Sequence, residues 1–193
     1  MTQEAAIVTI RPERETMTRQ RLPNFVGVSQ ATAGSAALAM NVVIIPAGAA
    51  AEAHLHRGYE TAIYLLSGRV QTFYGDGLGQ SIVNEAGDFI FIPANVPHQP
   101  VNLSQTEAAQ AIVARNDPNE QESVESYAPA GMRQNLQQTL QALTTQLNEK
   151  HHALDRFAHQ PAATNLIDAE IDQLETQIRV TKARLAVLVT DLP

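Results

Sequence analysis

Residues 54–68 read HLHRGYETAIYLLSG. His54 and His56 lie two positions apart in this stretch, and Glu60 precedes an apolar run that closes at Gly68. In a β-strand, residues two positions apart point to the same face of the sheet, so the two imidazoles project side by side. The stretch therefore predicts two strands joined by a turn, with a candidate site on the first strand.

Short apolar runs separated by turn residues surround this stretch and continue to about residue 128. Nine of the ten glycines precede that point, and glycine tolerates the backbone conformations that tight turns require. The runs with strand character are AIVTI from residue 6, ALAMNVVII from 37, TAIYLLSG from 61, SIVN from 81, DFIFIP from 88 and AAQAIVAR from 108. Short strands with turn signals between them are typical of an antiparallel sandwich or barrel, so a mainly β fold is predicted.

The last third of the chain has a different character. It is rich in Gln, Leu, Ala, Glu and Arg, and its apolar residues recur at spacings of three, four and seven. This pattern predicts two amphipathic helices, at about 131–158 and 165–190. Between them, we expect Pro161 to end the first helix and Thr164 or Asn165 to cap the second.

The chain is therefore predicted to divide into a β-barrel, residues 1–128, and an antiparallel helical hairpin, residues 129–193. Counting outward from the connection places Lys150 opposite Asp172, either as an ion pair or with the lysine stem lying along the seam. Two helices cover each other poorly, so the apolar stripe docks on the barrel or forms a coiled-coil contact with a second subunit. We expect a homodimer to which the hairpin contributes.

Three histidines lie in the β-rich part of the chain: His54, His56 and His98. The last of them follows Pro93 and Pro97, where a turn can direct it back toward the first two. Three converging imidazoles suit a divalent transition metal, namely Fe, Mn, Ni, Co or Zn, and the absence of cysteine excludes thiolate ligands. The alternative is a barrel in which the three rings are buried polar groups without a metal.

Two groups of residues carry a recognisable spacing. The first group consists of Gly48, His54, His56, Glu60 and Gly68. The second group consists of Gly87, Pro93, Asn95, His98 and Asn102. Together they resemble the paired motifs of the cupin superfamily, with one extra residue before the last glycine of the first group and an asparagine in place of the central glycine of the second. Asparagine is the non-glycine residue that best tolerates a left-handed backbone.

The resemblance extends over roughly residues 20–120 and both motifs together make it specific. It implies a single cupin barrel of the type-2 kind, which is a double-stranded β-helix or jelly roll. It also implies a metal in the mouth of the barrel, held by His54, His56, Glu60 and His98.

The glutamate position is ambiguous. Counted forward from His56 the fourth ligand falls on Glu60, but counted back from Gly68 it falls on Thr61. Adjacent residues of a strand face opposite sides, so only one of the two can point at the metal unless a bulge intervenes. Either Gly58 absorbs the extra residue and Glu60 is a ligand, or the site has three histidines and Glu60 lies in a second layer or in solvent.

Composition excludes several classes of function. The chain has 13 Lys and Arg against 20 Asp and Glu, a net charge of −7 that repels nucleic acid. There is no leader-like start and no run of eighteen apolar residues, so a cytoplasmic protein without a membrane partner is expected. Lysine is absent before Lys150, which excludes Schiff-base chemistry in the barrel.

Acid, base and metal chemistry remain, on a small-molecule substrate. An Fe(II) form would be an oxidoreductase, a dioxygenase for an enol or catechol-like compound. A Mn, Ni or Zn form would be an isomerase or lyase that polarises a carbonyl, with Glu60 as catalytic base. A non-catalytic binding or assembly module is the contrasting hypothesis. Arg115 either contacts an anionic substrate or lies in a surface loop, and the latter is favoured.

Overall fold

The computed structural model describes residues 6–119 and 123–188. The strands are β1 (Thr16–Met17), β2 (Pro23–Val28), β3 (Ala39–Ile45), β4 (His54–His56), β5 (Thr61–Ser67), β6 (Arg69–Tyr74), β7 (Gln80–Glu85), β8 (Phe89–Ile92), β9 (His98–Asn102), β10 (Ala109–Arg115) and β11 (Val124–Ser126). The α-helices are α1 (Gln30–Ala33), α2 (Met132–Arg156) and α3 (Pro161–Ala186). Helix and strand contents are about equal, because two long helices balance many short strands.

The strands form two antiparallel sheets. One has the order β1-β2-β3-β10-β5-β8 and the other the order β11-β4-β9-β6-β7. The predicted strand at 6–10 is wrong: these residues form no strand, and Ile7 is fully exposed. An apolar run becomes a strand only when a sheet edge pairs with it, which the sequence alone does not show.

The two sheets enclose one apolar core. Its buried members are Leu22, Val43, Ile45, Ala51, Leu65, Val70, Ala109 and Val113. Alternate residues of β10 point into this core, and β10 pairs with both β3 and β5 at the centre of its sheet. The predicted antiparallel barrel of jelly-roll type is confirmed.

The predicted helical hairpin is also confirmed, but its connection differs from the prediction. Pro161 is the first residue of α3 rather than the end of α2, so α3 begins before Thr164 and Asn165. Proline lacks an N–H and has its φ fixed near the helical value, so it suits the first turn of a helix as well as a position after the last.

A shorter connection changes the pairing between the helices. Lys150 forms its ion pair with Glu170 of α3, not with the predicted Asp172. The register therefore differs by two residues from the one expected. Both partners are more than a third exposed, so the pair contributes little to stability.

The base of the hairpin packs on its own barrel. Val180 of α3 contacts Ala50 and Val101 on the outer face of the second sheet, and all three are buried. Arg184 of α3 lies with its guanidinium 3.7 Å from the centre of the Phe73 ring. This arrangement corresponds to the first of the two predicted alternatives for the apolar stripe, docking on the barrel.

A buried polar contact supplements this apolar packing. The Nε of Arg184 donates a hydrogen bond of 2.9 Å to Oε1 of Gln99, and Nε2 of Gln99 donates one of 3.1 Å to the Ala51 carbonyl. Gln99 is fully buried, and burial lowers the pKa of Arg184 to about 10, so the guanidinium stays charged at neutral pH. The contact joins α3 to β9, the strand that begins at His98.

Neither of the two long helices, within the described ranges, is apolar enough over a sufficient length to cross a membrane.

Candidate metal site

Three histidines from two adjacent strands meet inside the barrel. His54 and His56 are the ends of β4, and His98, the first residue of β9, pairs directly with His54. The ring centre of His98 lies 4.2 Å from that of His54 and 4.7 Å from that of His56. One ring nitrogen of each histidine lies within 4.8 Å of the others, and all three side chains are buried. The predicted convergence of the three is confirmed.

One nitrogen of each ring is held by a neighbour. Nδ1 of His54 lies 2.8 Å from the Glu52 carbonyl, and Nδ1 of His98 lies 3.0 Å from the Val96 carbonyl. A carbonyl only accepts, so in both rings Nδ1 carries the proton and donates, which leaves the Nε2 lone pair for a metal.

The third ring has a different partner. Nδ1 of His56 lies 2.7 Å from the Thr61 hydroxyl. Its Nε2 is buried, with no hydrogen-bond partner in the part of the chain that the structure describes. A buried unpaired nitrogen is costly unless it has a ligand, so this atom fits a metal centre. The group could therefore hold a divalent metal through three Nε2 atoms.

Burial lowers the pKa of all three imidazoles. The pKa of His56 falls to about 2 and that of His98 to about 4, in both cases chiefly through burial. The pKa of His54 lies well below its usual value because of burial first and then the charges of His98 and His56. The rings are therefore neutral at physiological pH, the form in which imidazole binds a metal.

These shifts predict that the metal-free protein loses stability in acid. The unfolded chain takes up protons near the ordinary histidine value of 6.5, whereas the folded chain does so at His98 only near 4. Below 6.5 the unfolded state thus binds more protons, so the free energy of unfolding decreases as the pH falls. Thermal unfolding with a chelator, followed by circular dichroism between about pH 8 and 5, measures this effect. His98→Gln should flatten the pH dependence, and a wild-type midpoint that rises on acidification would contradict the prediction.

The structure does not bring Glu60 to the histidines. Its side chain is exposed, and its backbone N–H donates to Oδ1 of Asn116 at 2.8 Å. Tyr59 and Thr61, on either side of it, are both buried, and the Tyr59 ring stacks on His56 at 4.8 Å. Glu60 thus occupies the outward position of an alternating segment, so its predicted roles as metal ligand and catalytic base are wrong.

The turn before this segment explains the alternation. Gly58 has φ 75° and its N–H donates to Oδ1 of Asn95 at 3.1 Å. Asn95 has φ 63°, the left-handed conformation predicted for it, and its own N–H donates to the His56 carbonyl at 2.8 Å. These hydrogen bonds fix the turn against the segment before His98. The turn does not absorb the extra residue of the first motif as a bulge at Gly58, so Glu60 is not turned inward.

A small cavity adjoins the three histidines. Its volume is about 80 Å³, and most of its lining is apolar, from residues such as Leu22, Ile45, Leu65 and Val113. A space of this size holds a few water molecules or a ligand group of a few heavy atoms.

The middle of the chain also matches a family model, described as "Cupin domain", over residues 41–114. That range contains all three histidines and the strands β4 to β9. Residues 41–114 form a cupin domain.

Solved structures similar to this chain include other cupin domains. The Schizosaccharomyces pombe Cnp3 cupin domain is 14% identical, with a TM-score of 0.44, and the match covers 50% of this chain and 61% of that one. Bacillus subtilis oxalate decarboxylase is 20% identical, with a TM-score of 0.49, and covers 66% of this chain. A Klebsiella pneumoniae protein with a double-stranded β-helix domain is 15% identical, with a TM-score of 0.48 and coverage of 65% and 100%.

The chain spans 61% of the length of the Schizosaccharomyces pombe domain and 31% of that of oxalate decarboxylase. Likenesses at this level concern the fold. No curated protein matches the chain in sequence.

Arg115 lies in the wall of the barrel and not in the surface loop favoured by the sequence analysis. It is the last residue of β10, pairs with Thr61 of β5, is 4% exposed and lines the cavity. Its charge contributes to the lowered pKa of the three histidines. The signal was present in the alternation of β10, because Arg115 shares its face with the buried Ala109 and Val113.

Proposed function

We propose that the protein is a metal-dependent enzyme that oxidises a small enol or carbonyl compound with dioxygen. The observation that carries this proposal is the set of three buried imidazoles whose Nδ1 atoms are held while the Nε2 atom of His56 has no protein partner among the described residues. His54, His56 and His98 would hold the metal. When bound, it supplies a Lewis acid and, as Fe(II), reactivity toward dioxygen.

The cavity supports an oxygenase-type reaction. Its mostly apolar lining strengthens charge interactions inside it, and it is compatible with an apolar gas such as dioxygen. Arg115 places a positive charge in the same wall, where it favours an anionic oxygen such as that of an enolate. The role of Arg115 in this reaction is to orient and stabilise the charged end of the substrate.

An isomerase or lyase for the same class of substrate is the second candidate. It shares the favourable position of Arg115 beside the three histidines. It also needs a base that removes a proton from carbon, and Glu60, the residue predicted for that role, faces away from the cavity. We therefore rank this candidate second.

Oxygen consumption tests the proposal. Protein purified without a histidine tag is stripped, reloaded anaerobically with Fe(II), Mn(II), Ni(II), Co(II) or Zn(II), and analysed for metal content. Oxygen uptake is then measured with a panel of enols, diketones and catechols, with His54→Ala as the matched control. We expect stoichiometric metal and Fe(II)-dependent uptake in the wild type alone.

Two outcomes would overturn the proposal. A wild type that takes up none of these metals supports a non-catalytic binding module instead. A loaded enzyme that consumes no oxygen but converts a carbonyl substrate into an isomer supports the second candidate.

A further inference from the structure

An open groove lies on the side of the cupin domain where the two sheets end. β8 and β7 are the last strands of their sheets, and between them is a groove of about 420 Å³. We call it the lateral groove; its walls include Tyr74, Ile82, Phe89, Phe91, Pro93 and Val96. It is several times larger than the cavity beside the histidines.

The lateral groove adjoins that cavity. Four residues line both spaces: Thr72, Ile90, Ile92 and His98. One end of the groove therefore reaches a candidate metal ligand.

Apolar side chains at the rim of the groove are unusually exposed. Phe89 is 84% exposed, Phe91 61% and Ile82 50%. Covering a large apolar side chain stabilises a complex, and an exposed apolar patch beside a site is typical of a ligand surface. Ile82 lies on the same face of β7 as Asn84 and favours an apolar ligand body, whereas Phe89 and Phe91 lie on the outer face of β8, on the side of Tyr64.

One buried polar group at the far end lacks a partner. Asn84 is 9% exposed and lines the groove, and its Oδ1 has no hydrogen-bond partner within the described ranges. Its Nδ2 donates to the Asp88 carboxylate at 3.3 Å, and that carboxylate also accepts from the Glu85 N–H at 2.9 Å. Because a carboxylate only accepts, the amide orientation is fixed, and Oδ1 is the atom left for a donor.

The strand registers give the length of ligand that these two ends require. Tyr74 of β6 pairs with His98, and Val70 of β6 pairs with Asn84. Tyr74 and Val70 are four positions apart, about 13 Å along β6. β9 and β7 flank β6 on opposite sides, which adds about 10 Å across the sheet, so the two ends lie roughly 16 Å apart.

We infer that the lateral groove binds the body of the substrate, an elongated and mostly apolar molecule. One end carries the oxygen that meets the three histidines, and the other carries a hydroxyl or N–H that donates to Asn84. The inference rests on the proposed function and narrows its substrate class. A short polar metabolite would leave Ile82 in water.

Binding of three matched probes tests this inference. The probes are 4′-hydroxybiphenyl-4-carboxylate, biphenyl-4-carboxylate and acetate, titrated by calorimetry into Zn(II)-loaded and metal-free protein. We expect the biphenyl compounds to bind at least about 100-fold more tightly than acetate. The hydroxyl should add about fivefold to tenfold in the wild type and nothing in Asn84→Leu.

Two neighbouring positions of β7 provide the matched variants. Ile82→Glu places a charge in the groove and should weaken biphenyl binding by at least about tenfold. Val83→Glu changes the next residue, 39% exposed and not part of the groove lining, and should leave the affinity within about twofold.

The outcomes separate the two proposals. Suppose that the protein binds no metal, but the metal-free form still binds the biphenyl probes and loses affinity in Ile82→Glu. This outcome supports ligand binding in the groove and contradicts the metalloenzyme proposal. Equal affinity for acetate and the biphenyls, or equal effects of the two glutamate variants, would overturn the proposal that the groove binds the substrate. So would a dimer that excludes the probes and that Ile82→Glu converts to a monomer in light scattering.

Discussion

His56→Ala is expected to lower the affinity for Zn(II) by at least about 100-fold, because it removes one of three protein ligands. In the folded protein this ring is 2% exposed and its Nε2 has no other partner among the described residues. Competition with a chromogenic chelator measures the affinity. Circular dichroism of the metal-free variant separates loss of a ligand from loss of the fold.

Two companion variants make this result specific. Thr61→Val keeps the shape of the side chain but removes the hydroxyl 2.7 Å from Nδ1 of His56, so the affinity should fall by about 10–100-fold. Glu60→Ala is the control, because this exposed side chain faces away from the site. A loss of metal in Glu60→Ala as large as that in His56→Ala would contradict the geometry.

Val180→Asp is expected to have the largest effect on stability. Val180 is 6% exposed between α3 and the outer face of the second sheet, so the substitution buries a charge in an apolar contact. We expect the free energy of unfolding to fall by about 3–5 kcal/mol. In a chain of this length that corresponds to about 10 °C in Tm, measured by circular dichroism or calorimetry.

Leu166→Asp is the matched control on the same helix. Leu166 is 65% exposed, so within a single chain the change should alter Tm by no more than about 1–2 °C. A loss as large as that of Val180→Asp would contradict docking of the hairpin on its own barrel. The predicted homodimer stays a prediction, and light scattering of the wild type and this variant tests whether the exposed part of the hairpin takes part in it.

The parts of the fold that depend on local periodicity could be predicted from the sequence. Alternation placed His54 and His56 on one face, and spacings of three, four and seven identified both long helices. The left-handed conformation of Asn95 followed from the steric tolerance of its side chain.

Features that depend on the path of a turn could not be predicted. Whether Glu60 or Thr61 faces inward is decided by how the turn at Gly58 is bonded to Asn95, a contact between segments 37 residues apart. The start of α3 at Pro161 was missed because the same φ restraint serves either end of a helix.

Arg115 was misplaced for a related reason. A polar, proline-containing segment comes directly after it, so composition assigned it to a loop, whereas pairing of β10 with β3 and β5 extends the strand to this residue. A charged side chain in a strand is buried when its neighbours on the same face are buried. The alternation of β10 therefore predicts the position of Arg115 better than the polarity of the adjoining segment does.

The alternation of β9 has a consequence for misfolding. His98 and Pro100 of this strand face the cavity, while Gln99 and Val101 face α3. A slip of the strand by one residue would place Gln99 among the metal ligands and remove the acceptor of Arg184. The wrong register would therefore be unfavourable both in the cavity and at the contact with α3. Docking of the hairpin therefore favours the correct register of β9, since a chain in which α3 has docked correctly also has His98 in the position from which it can bind a metal.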